Sequence, residues 1–155
     1  VLMILPIFYR VWAKARLESL RPWIQTWACD EHYAGTGSDG AEDAWWLTSL
    51  IFEQAALDDV DLTGGAADIF KCFDQILRSL LDAQLKAGGM PANILTAYMR
   101  YMDNLTVRNA LAGSLGSPYY LPTGIPQGCP LSMMMIAFML RPWILQMRSM
   151  QVTPT

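Results

Sequence analysis

The sequence has few of the residues that build metal sites and disulfide frameworks. Its three cysteines are far apart and form no CxxC pair, and the chain has a single histidine. Zinc sites and disulfide frameworks require such residues in recurrent, closely spaced groups. We therefore expect neither, and we expect an intracellular protein of the nucleus or cytoplasm that is not secreted.

The sequence also lacks a hydrophobic run of membrane-spanning length. The longest apolar stretch, 129–140, is interrupted by Ser132 and is followed by Arg141 and Pro142. A transmembrane helix needs about 20 predominantly apolar residues. The apolar residues 1–8 have no basic segment before them and no small-residue cleavage site after them, which argues against a secretory signal. We expect no membrane partner.

Basic residues are missing from one long segment. Residues 22–68 contain ten acidic residues and no lysine or arginine, whereas residues 1–21 and 69–155 carry net charges of +3 and +4. Such blocks can place a basic contact surface beside an acidic face. The alternative is a pair of ordinary solvated surfaces of opposite sign. With 53% apolar residues, the chain is expected to be globular.

Apolar spacing and turn residues predict a helix-rich α+β protein with a small antiparallel sheet. The predicted elements are helices over 7–27 with a break at Pro22, a helix over 41–57, a strand over 66–70, a helix from Asp74 to Gly88–Gly89, a helix from Pro91 to about Leu105, strands over 107–111 and 119–122, and a last helix beginning near Pro130.

The first chemical signal is a carboxylate inside an apolar segment, Ala66–Ile76. Burying Asp68 in a strand costs free energy unless a cation meets it. The backbone amides of Lys71 and Cys72, at the start of the predicted helix, could face an anion such as a triphosphate, which would bring magnesium to Asp68. The alternative is a structural aspartate at the end of a strand.

The second signal is the segment Gly124–Ser132. Gly128 lies beside Gln127, and a glycine there lets the backbone approach a flat substrate closely. Pro130 suits the first turn of the helix that follows. On chemistry alone, this segment is a loop that leads into a buried helix.

Together and in this order, these two segments resemble the A and B motifs of reverse transcriptases from non-long-terminal-repeat retroelements and group II introns. Residues 5–12 resemble a fingers segment of that family, and residues 33–44 resemble its glycine-rich fingers loop. The resemblance implies a single partial right-hand polymerase domain over 1–155. Its fingers would occupy about 1–62 and its palm about 63–155.

The resemblance implies a metal site that uses magnesium or manganese. Asp68 matches the first metal-binding, catalytic carboxylate, and the carbonyl of Ile69 matches its neighbouring ligand. Arg10 is a further candidate, for contact with phosphate. The implied partners are an RNA template, a DNA primer and deoxynucleoside triphosphates.

The resemblance also implies a nucleotide-binding set. Lys71 and Cys72 match positions whose amides hold the triphosphate, and Phe73 matches the aromatic side chain that excludes a ribose 2′-hydroxyl. Gln127 and Gly128 match the pair that touches the template and the incoming nucleotide. Because all of these would border one nucleotide, we expect the Cα atoms of Phe73 and Gln127 to lie within about 20 Å, several times direct side-chain reach.

The sequence departs from the family pattern in ways that bear on activity. An Arg-Pro at the start is missing, Met133 stands where proline is common, and nothing after Arg141 resembles the third motif with its paired aspartates. We therefore expect a fragment without that motif or the thumb, inactive alone because two-metal catalysis needs carboxylates on both sides of the ions.

Two other functions compete with this one. A catalytically dead, reverse-transcriptase-like nucleic-acid-binding module or retroelement relic remains the alternative. An RNA-dependent RNA polymerase is disfavoured, because those enzymes resemble this pattern but carry a carboxylate where this chain has Phe73.

Overall fold

A computed structural model describes residues 3–36 and 40–150, which form two compact units. The first unit comprises 3–20 and Lys71–Ser132, and the second comprises 21–36, 40–70 and 133–150. The expected helix-rich α+β composition is confirmed. The division into fingers and palm near residue 62 stays a prediction.

The elements follow one another along the chain with mostly short connections. They are α1 (Ile7–Ser19), α2 (Arg21–Ile24), α3 (Ala41–Leu57), α4 (Cys72–Gln75), α5 (Arg78–Ala87), α6 (Ala92–Asp103), β1 (Thr106–Val107), β2 (Ala110–Leu111), β3 (Ser114–Leu115), β4 (Tyr119–Tyr120) and α7 (Ser132–Ser149). Within residues 3–36 and 40–150, no helix is long and apolar enough to cross a membrane.

The core of the first unit is built around the helix pair α5 and α6, which pack together. On α5, Leu81 and Leu85 are one turn apart and both are fully buried. Gly88 caps α5, and the following Gly89 adopts a left-handed backbone with φ 75° that reverses the chain. This confirms the predicted helix end at Gly88–Gly89.

The small sheet structure of the first unit consists of two antiparallel pairs. β1 pairs with β4 in the register Thr106 to Tyr120, and β2 pairs with β3 through a tight hairpin. Ala112 and Gly113 form its turn with φ values of 47° and 80°. Positive φ at both central residues is the geometry of a type I′ turn, which matches the twist of a hairpin.

The core of the second unit forms where α2 and the segment after it meet α7. The rings of Trp27 and Phe138 meet edge to face at 5.0 Å, and Trp23 lies 5.3 Å from the same phenylalanine. Ile24 and Ile144 are also buried in this unit. By contrast, α3, which was predicted correctly over 41–57, has no buried residue.

The predicted strand over 66–70 is wrong. Residues 61–69 contain neither helix nor strand, and all of them are exposed. A strand needs a paired neighbour for its backbone hydrogen bonds, and local apolar composition does not supply one. Asp68 therefore lies on an irregular, solvent-exposed segment.

The predicted helix from Asp74 to Gly88–Gly89 is divided in the structure. Asp74 lies inside the one-turn helix α4, and Ile76 and Leu77 have extended backbones before α5 begins. The carbonyl of Ile76 accepts a hydrogen bond from Gly124. This long-range bond replaces the bond that a continuous helix would make there.

Candidate functional site

The segment that follows Phe70 makes a sharp turn into α4. Lys71 precedes this helix in the left-handed conformation, with φ 48° and ψ 41°, which is uncommon for a residue with a side chain. Its carbonyl accepts the backbone hydrogen bonds of Asp74 and Gln75. The candidate residues Lys71 and Cys72 are thus at the start of a helix of a single turn, and their contact with a triphosphate stays a prediction.

Backbone hydrogen bonds join the α4 segment to the loop that precedes α7. The amide of Ile125 donates to the carbonyl of Phe73 at 2.9 Å, and the amide of Gly124 donates to the carbonyl of Ile76 at 2.8 Å. The hydroxyl of Thr123 donates to the carbonyl of Asp74 at 3.2 Å. The structure therefore brings residues 73–76 of the first segment into direct contact with Gly124 and Ile125 of the second, within the first unit.

Gly124 permits this contact through its lack of a side chain. Its backbone is left-handed, with φ 84°, and a Cβ atom there would lie 2.9 Å from the carbonyl oxygens of both Phe73 and Asp74. Real Cβ atoms essentially never approach oxygen so closely. Only glycine combines this conformation with this approach.

Arg78 reinforces the same junction from the first turn of α5. Its guanidinium donates to the carbonyl of Gly124 at 2.8 Å and to the carbonyl of Met102 at 3.0 Å. The carboxylate of Asp103 lies 3.8 Å away. Arg78 was not predicted from the sequence. The available signal was a basic residue beside the apolar positions of an amphipathic helix.

The loop displays Gln127 and Gly128 between two buried anchors. Ile125 and Pro126 are buried before them and Cys129 is buried after them, whereas Gln127 and Gly128 are exposed. Gly128 has φ 132°, and the carbonyl of Gln127 accepts a hydrogen bond from the amide of Met3. The side chain of Gln127 is thus accessible to a partner.

The separation expected between Phe73 and Gln127 is met. Gln127 lies two residues beyond Ile125, whose amide is 2.9 Å from the carbonyl oxygen of Phe73. Covalent geometry then limits the distance between the Cα atoms of Phe73 and Gln127 to roughly 15 Å. This is below the expected limit, while the roles of these residues in binding a nucleotide stay predictions.

An aromatic cluster fixes α1 to the end of this loop. The hydroxyl of Tyr9 is hydrogen-bonded to the thiol of Cys129 at 3.1 Å, and its ring stacks on Tyr101 at 3.7 Å with an angle of 9° between the planes. Burial raises the pKa of Tyr9 well above its usual range, so this phenol stays protonated. Arg10, the candidate for phosphate contact, follows Tyr9 on α1 and is exposed.

The residues proposed to bind metal belong to the second unit. Asp68 and Ile69 are both exposed. In the part of the chain that the structure describes, no three His, Cys, Asp or Glu side chains are grouped to hold a metal ion. Magnesium keeps near-octahedral oxygen coordination and a metal pair needs several carboxylates. The described residues therefore do not fit a complete metal centre.

A groove in the second unit lies between α7 and the segments on either side of the glycine-rich loop. It has a volume of about 420 Å³ and a mostly apolar lining that includes Tyr33, Ala44, Leu140 and Trp143. The expected fingers loop over 33–44 falls partly on residues 37–39, which are outside the described residues. Apolar side chains without convergent polar groups do not specify a ligand.

His32 lines this groove and is fully engaged in hydrogen bonds. Its Nδ1 accepts from the amide of Cys29 at 2.9 Å, and its Nε2 lies 3.0 Å from the carbonyl of Ala137. An accepting Nδ1 and a donating Nε2 define the neutral ring. Burial lowers the pKa of His32. His32 therefore holds its loop to α7 and is not available as a metal ligand.

Two arginines hold the same loop on α7 further along the helix. Arg141 donates from Nε to the carbonyl of Trp27 at 2.8 Å, and Arg148 forms a two-point ion pair with Glu31. The hydrogen bonds from Arg148 hold the pKa of Glu31 below its usual value. Arg141 and Arg148 lie on opposite sides of Pro142, and α7 continues past that proline.

The fold and the described contacts define a helix-rich α+β protein with a glycine-dependent junction between two loop segments. Comparison of the chain with protein-family models, with curated proteins and with solved structures finds no match.

Proposed function

We propose that this chain is part of an RNA-directed DNA polymerase of the reverse-transcriptase type, with a partial right-hand fold. The observation that carries the proposal is the pair of hydrogen bonds from Gly124 and Ile125 to the segment 73–76. The resemblance requires these segments to border one nucleotide, and such segments must be neighbours in space. Their contact within the first unit supports this requirement.

In the proposed site, Phe73 borders the sugar of the incoming deoxynucleotide. Gln127 and Gly128 meet the template and the base of that nucleotide, and the amides of Lys71 and Cys72 face its triphosphate. The accessibility of Gln127 and Gly128 between buried anchors supports this arrangement, because a template must reach them from solvent.

Asp68 and the carbonyl of Ile69 are proposed as ligands of magnesium or manganese in the complete enzyme. The bound metal would activate the primer hydroxyl and stabilise charge on the transferred phosphoryl group. Because the described residues do not form a complete metal centre, the 155-residue chain is proposed to be inactive by itself. It would bind an RNA template and a DNA primer without extending them.

The second candidate is a catalytically dead, reverse-transcriptase-like module that binds nucleic acid. The exposure of Asp68 outside any strand favours this candidate, since an ionised carboxylate in solvent needs no metal to satisfy it. Both candidates predict nucleic-acid binding by the first unit. They differ in whether deoxynucleoside triphosphates add to that binding.

The test measures binding of a labelled DNA primer annealed to an RNA template by fluorescence anisotropy, with and without a complementary deoxynucleotide. We expect binding that weakens as salt rises, because phosphate contacts release counterions. Gln127→Ala should weaken binding several-fold, and Arg10→Gln should reduce the salt dependence. Gln25→Ala, at an exposed position of the second unit, is the matched control.

The outcomes separate the candidates. Tighter binding with the complementary deoxynucleotide than with a mismatched one supports the polymerase, and equal binding supports the dead module. Absence of binding at low salt, or equal effects of Gln127→Ala and Gln25→Ala, would contradict both.

A further inference from the structure

The helix α3 has an apolar surface that the second unit does not bury. None of its 17 residues is buried, although it carries two tryptophans, a phenylalanine and several leucines. Trp46, Leu50 and Leu57 lie on one face of the helix, and Leu57 is 82% exposed. Glu42 and Glu53 share that face, at helical spacings from Trp46 and Leu50. The result is an acidic apolar face.

The helix α1 has the complementary character. Tyr9 and Ala13 are buried on one side of it, while Ile7, Phe8 and Val11 are exposed elsewhere on the helix; Phe8 is 87% exposed. Their spacing of three and four residues makes one continuous stripe. Lys14 continues the stripe and Arg10 flanks it, and both are exposed. Glu18, also exposed, follows one turn after Lys14, so the two basic residues outnumber one acid on this side of the helix. The result is a basic apolar face.

The two faces match each other in both properties that govern association. Each offers an apolar helical stripe, and exposed patches of this kind mark interaction sites. Their charges are opposite, and the segment that contains α3 has no lysine or arginine from 22 to 68. Opposite charges steer the encounter and set the pairing, while apolar burial supplies most of the free energy.

We propose that two copies of this chain associate through the basic face of α1 on one copy and the acidic face of α3 on the other. In a closed dimer this contact forms twice, because a two-fold axis makes each copy offer both faces. The proposal is independent of the polymerase function. In this proposal the partner of each helix is a second copy of the same chain.

The first measurement is the mass of the whole chain in solution, by sedimentation or light scattering, from about 1 to 100 µM, a range that spans micromolar affinity. We expect the mass to rise from that of one copy towards twice that value. In about 0.5 M salt, where charges are screened within a few ångströms, the same rise should need a higher protein concentration. A single-copy mass at every concentration in low salt would overturn the proposal.

The second measurement uses charge-swapped variants. Glu42→Lys/Glu53→Lys makes α3 basic, and Arg10→Glu/Lys14→Glu makes α1 acidic. Each variant alone should stay a single copy, with dissociation constants raised about tenfold or more, because both contacts then oppose like charges. Mixed in equal amounts, the two variants should associate, since both contacts of a mixed pair then join opposite charges.

The controls are Asp61→Lys and Arg108→Glu, which change exposed charges outside the two faces. They should associate like the unaltered chain. Circular dichroism verifies that each variant keeps its helices. If a double variant does not fold, the single variants Glu53→Lys and Lys14→Glu are used in place of the two double variants. Loss of association by the controls, or failure of the folded swapped variants to associate when mixed, would overturn the proposal.

Discussion

Gly124 is a single residue on which the contact between two distant segments depends. Its φ of 84° and the two carbonyl oxygens beside its Cα position both exclude a larger side chain. The glycine was read from the sequence only as the start of a loop. Glycine is needed at this position because of the carbonyl oxygens of Phe73 and Asp74, about fifty positions earlier. No local sequence pattern contains that information.

Gly124→Ala should lower the free energy of unfolding of the first unit by about 1–3 kcal/mol, the usual cost of a strained backbone conformation. The added methyl would also displace the carbonyls of Phe73 and Asp74. Urea unfolding followed by circular dichroism measures the loss. Gly116→Ala is the control in the same unit, because its Cβ would meet only ordinary contact at 3.6 Å. Equal losses for both variants would contradict the proposed role.

His32 makes the stability of the second unit sensitive to acid. Its pKa in the folded chain is below the ordinary value of 6.5, chiefly because of burial. Between these two values the unfolded chain binds the extra proton, so stability rises with pH. The contribution should be complete above about pH 6.5 and should be lost as the pH falls from there to the folded pKa.

The measurement is direct because the chain has one histidine. Proton NMR should give a His32 pKa below 6.5 in the folded state, and the free energy of unfolding should decrease on acidification through that window. His32→Gln should remove this part of the pH dependence. A pKa at or above 6.5 would contradict the neutral, doubly hydrogen-bonded ring.

At the level of elements, the helices with strong local signals were predicted well. α3 has the predicted bounds, and the predicted helix after Pro91 is present as α6. The predicted strand over 66–70 failed, and so did the continuous helix from Asp74. Residues 66–70 do not pair with a neighbouring strand, and the hydrogen bond from Gly124 to Ile76 interrupts the helix that was expected from Asp74. Local propensity predicts neither of these tertiary effects.

The helix α7 contains Pro142 in its interior, which removes one backbone hydrogen bond and crowds the preceding turn. Pro142→Ala should therefore raise the free energy of unfolding, by up to about 3 kcal/mol. Thermal unfolding measures the change. Pro22→Ala is the control in the same unit, because a proline in the first turn of a helix costs little. An unchanged stability would show that Pro142 costs nothing in this helix, and a lower stability would show that this proline stabilises it; either result would contradict the prediction.

At the level of the whole molecule, the sequence resemblance identified two segments that are neighbours in the first unit. It could not identify Arg78 or Tyr9 as the residues that hold them, because hydrogen bonds such as Tyr9 to Cys129 join positions 120 residues apart. The strand predicted around Asp68 does not form, so the metal site proposed there rests on the resemblance alone.

The polymerase proposal makes a prediction for a longer polypeptide that joins this chain to a segment with paired aspartates and a thumb. Primer extension should appear there, and Asp68→Asn should abolish it by removing a metal ligand. Phe73→Val should leave extension with deoxynucleotides but relax the exclusion of ribonucleotides. Asp61→Asn, in the same exposed segment, is the control. Full extension by the Asp68→Asn variant would show that the metal ligand is elsewhere.

The interleaving of the two units has a consequence for synthesis on the ribosome. The first unit uses residues 3–20 and then nothing until Lys71, so α1 emerges long before the residues that cover it. Cys129, the hydrogen-bond partner of Tyr9, is synthesised 120 residues after it. At translation rates of about 5–20 residues per second, this takes roughly 6–24 s. During that time the buried side of α1 is exposed along with its apolar stripe, and transiently exposed apolar surface of this kind favours aggregation before folding is complete.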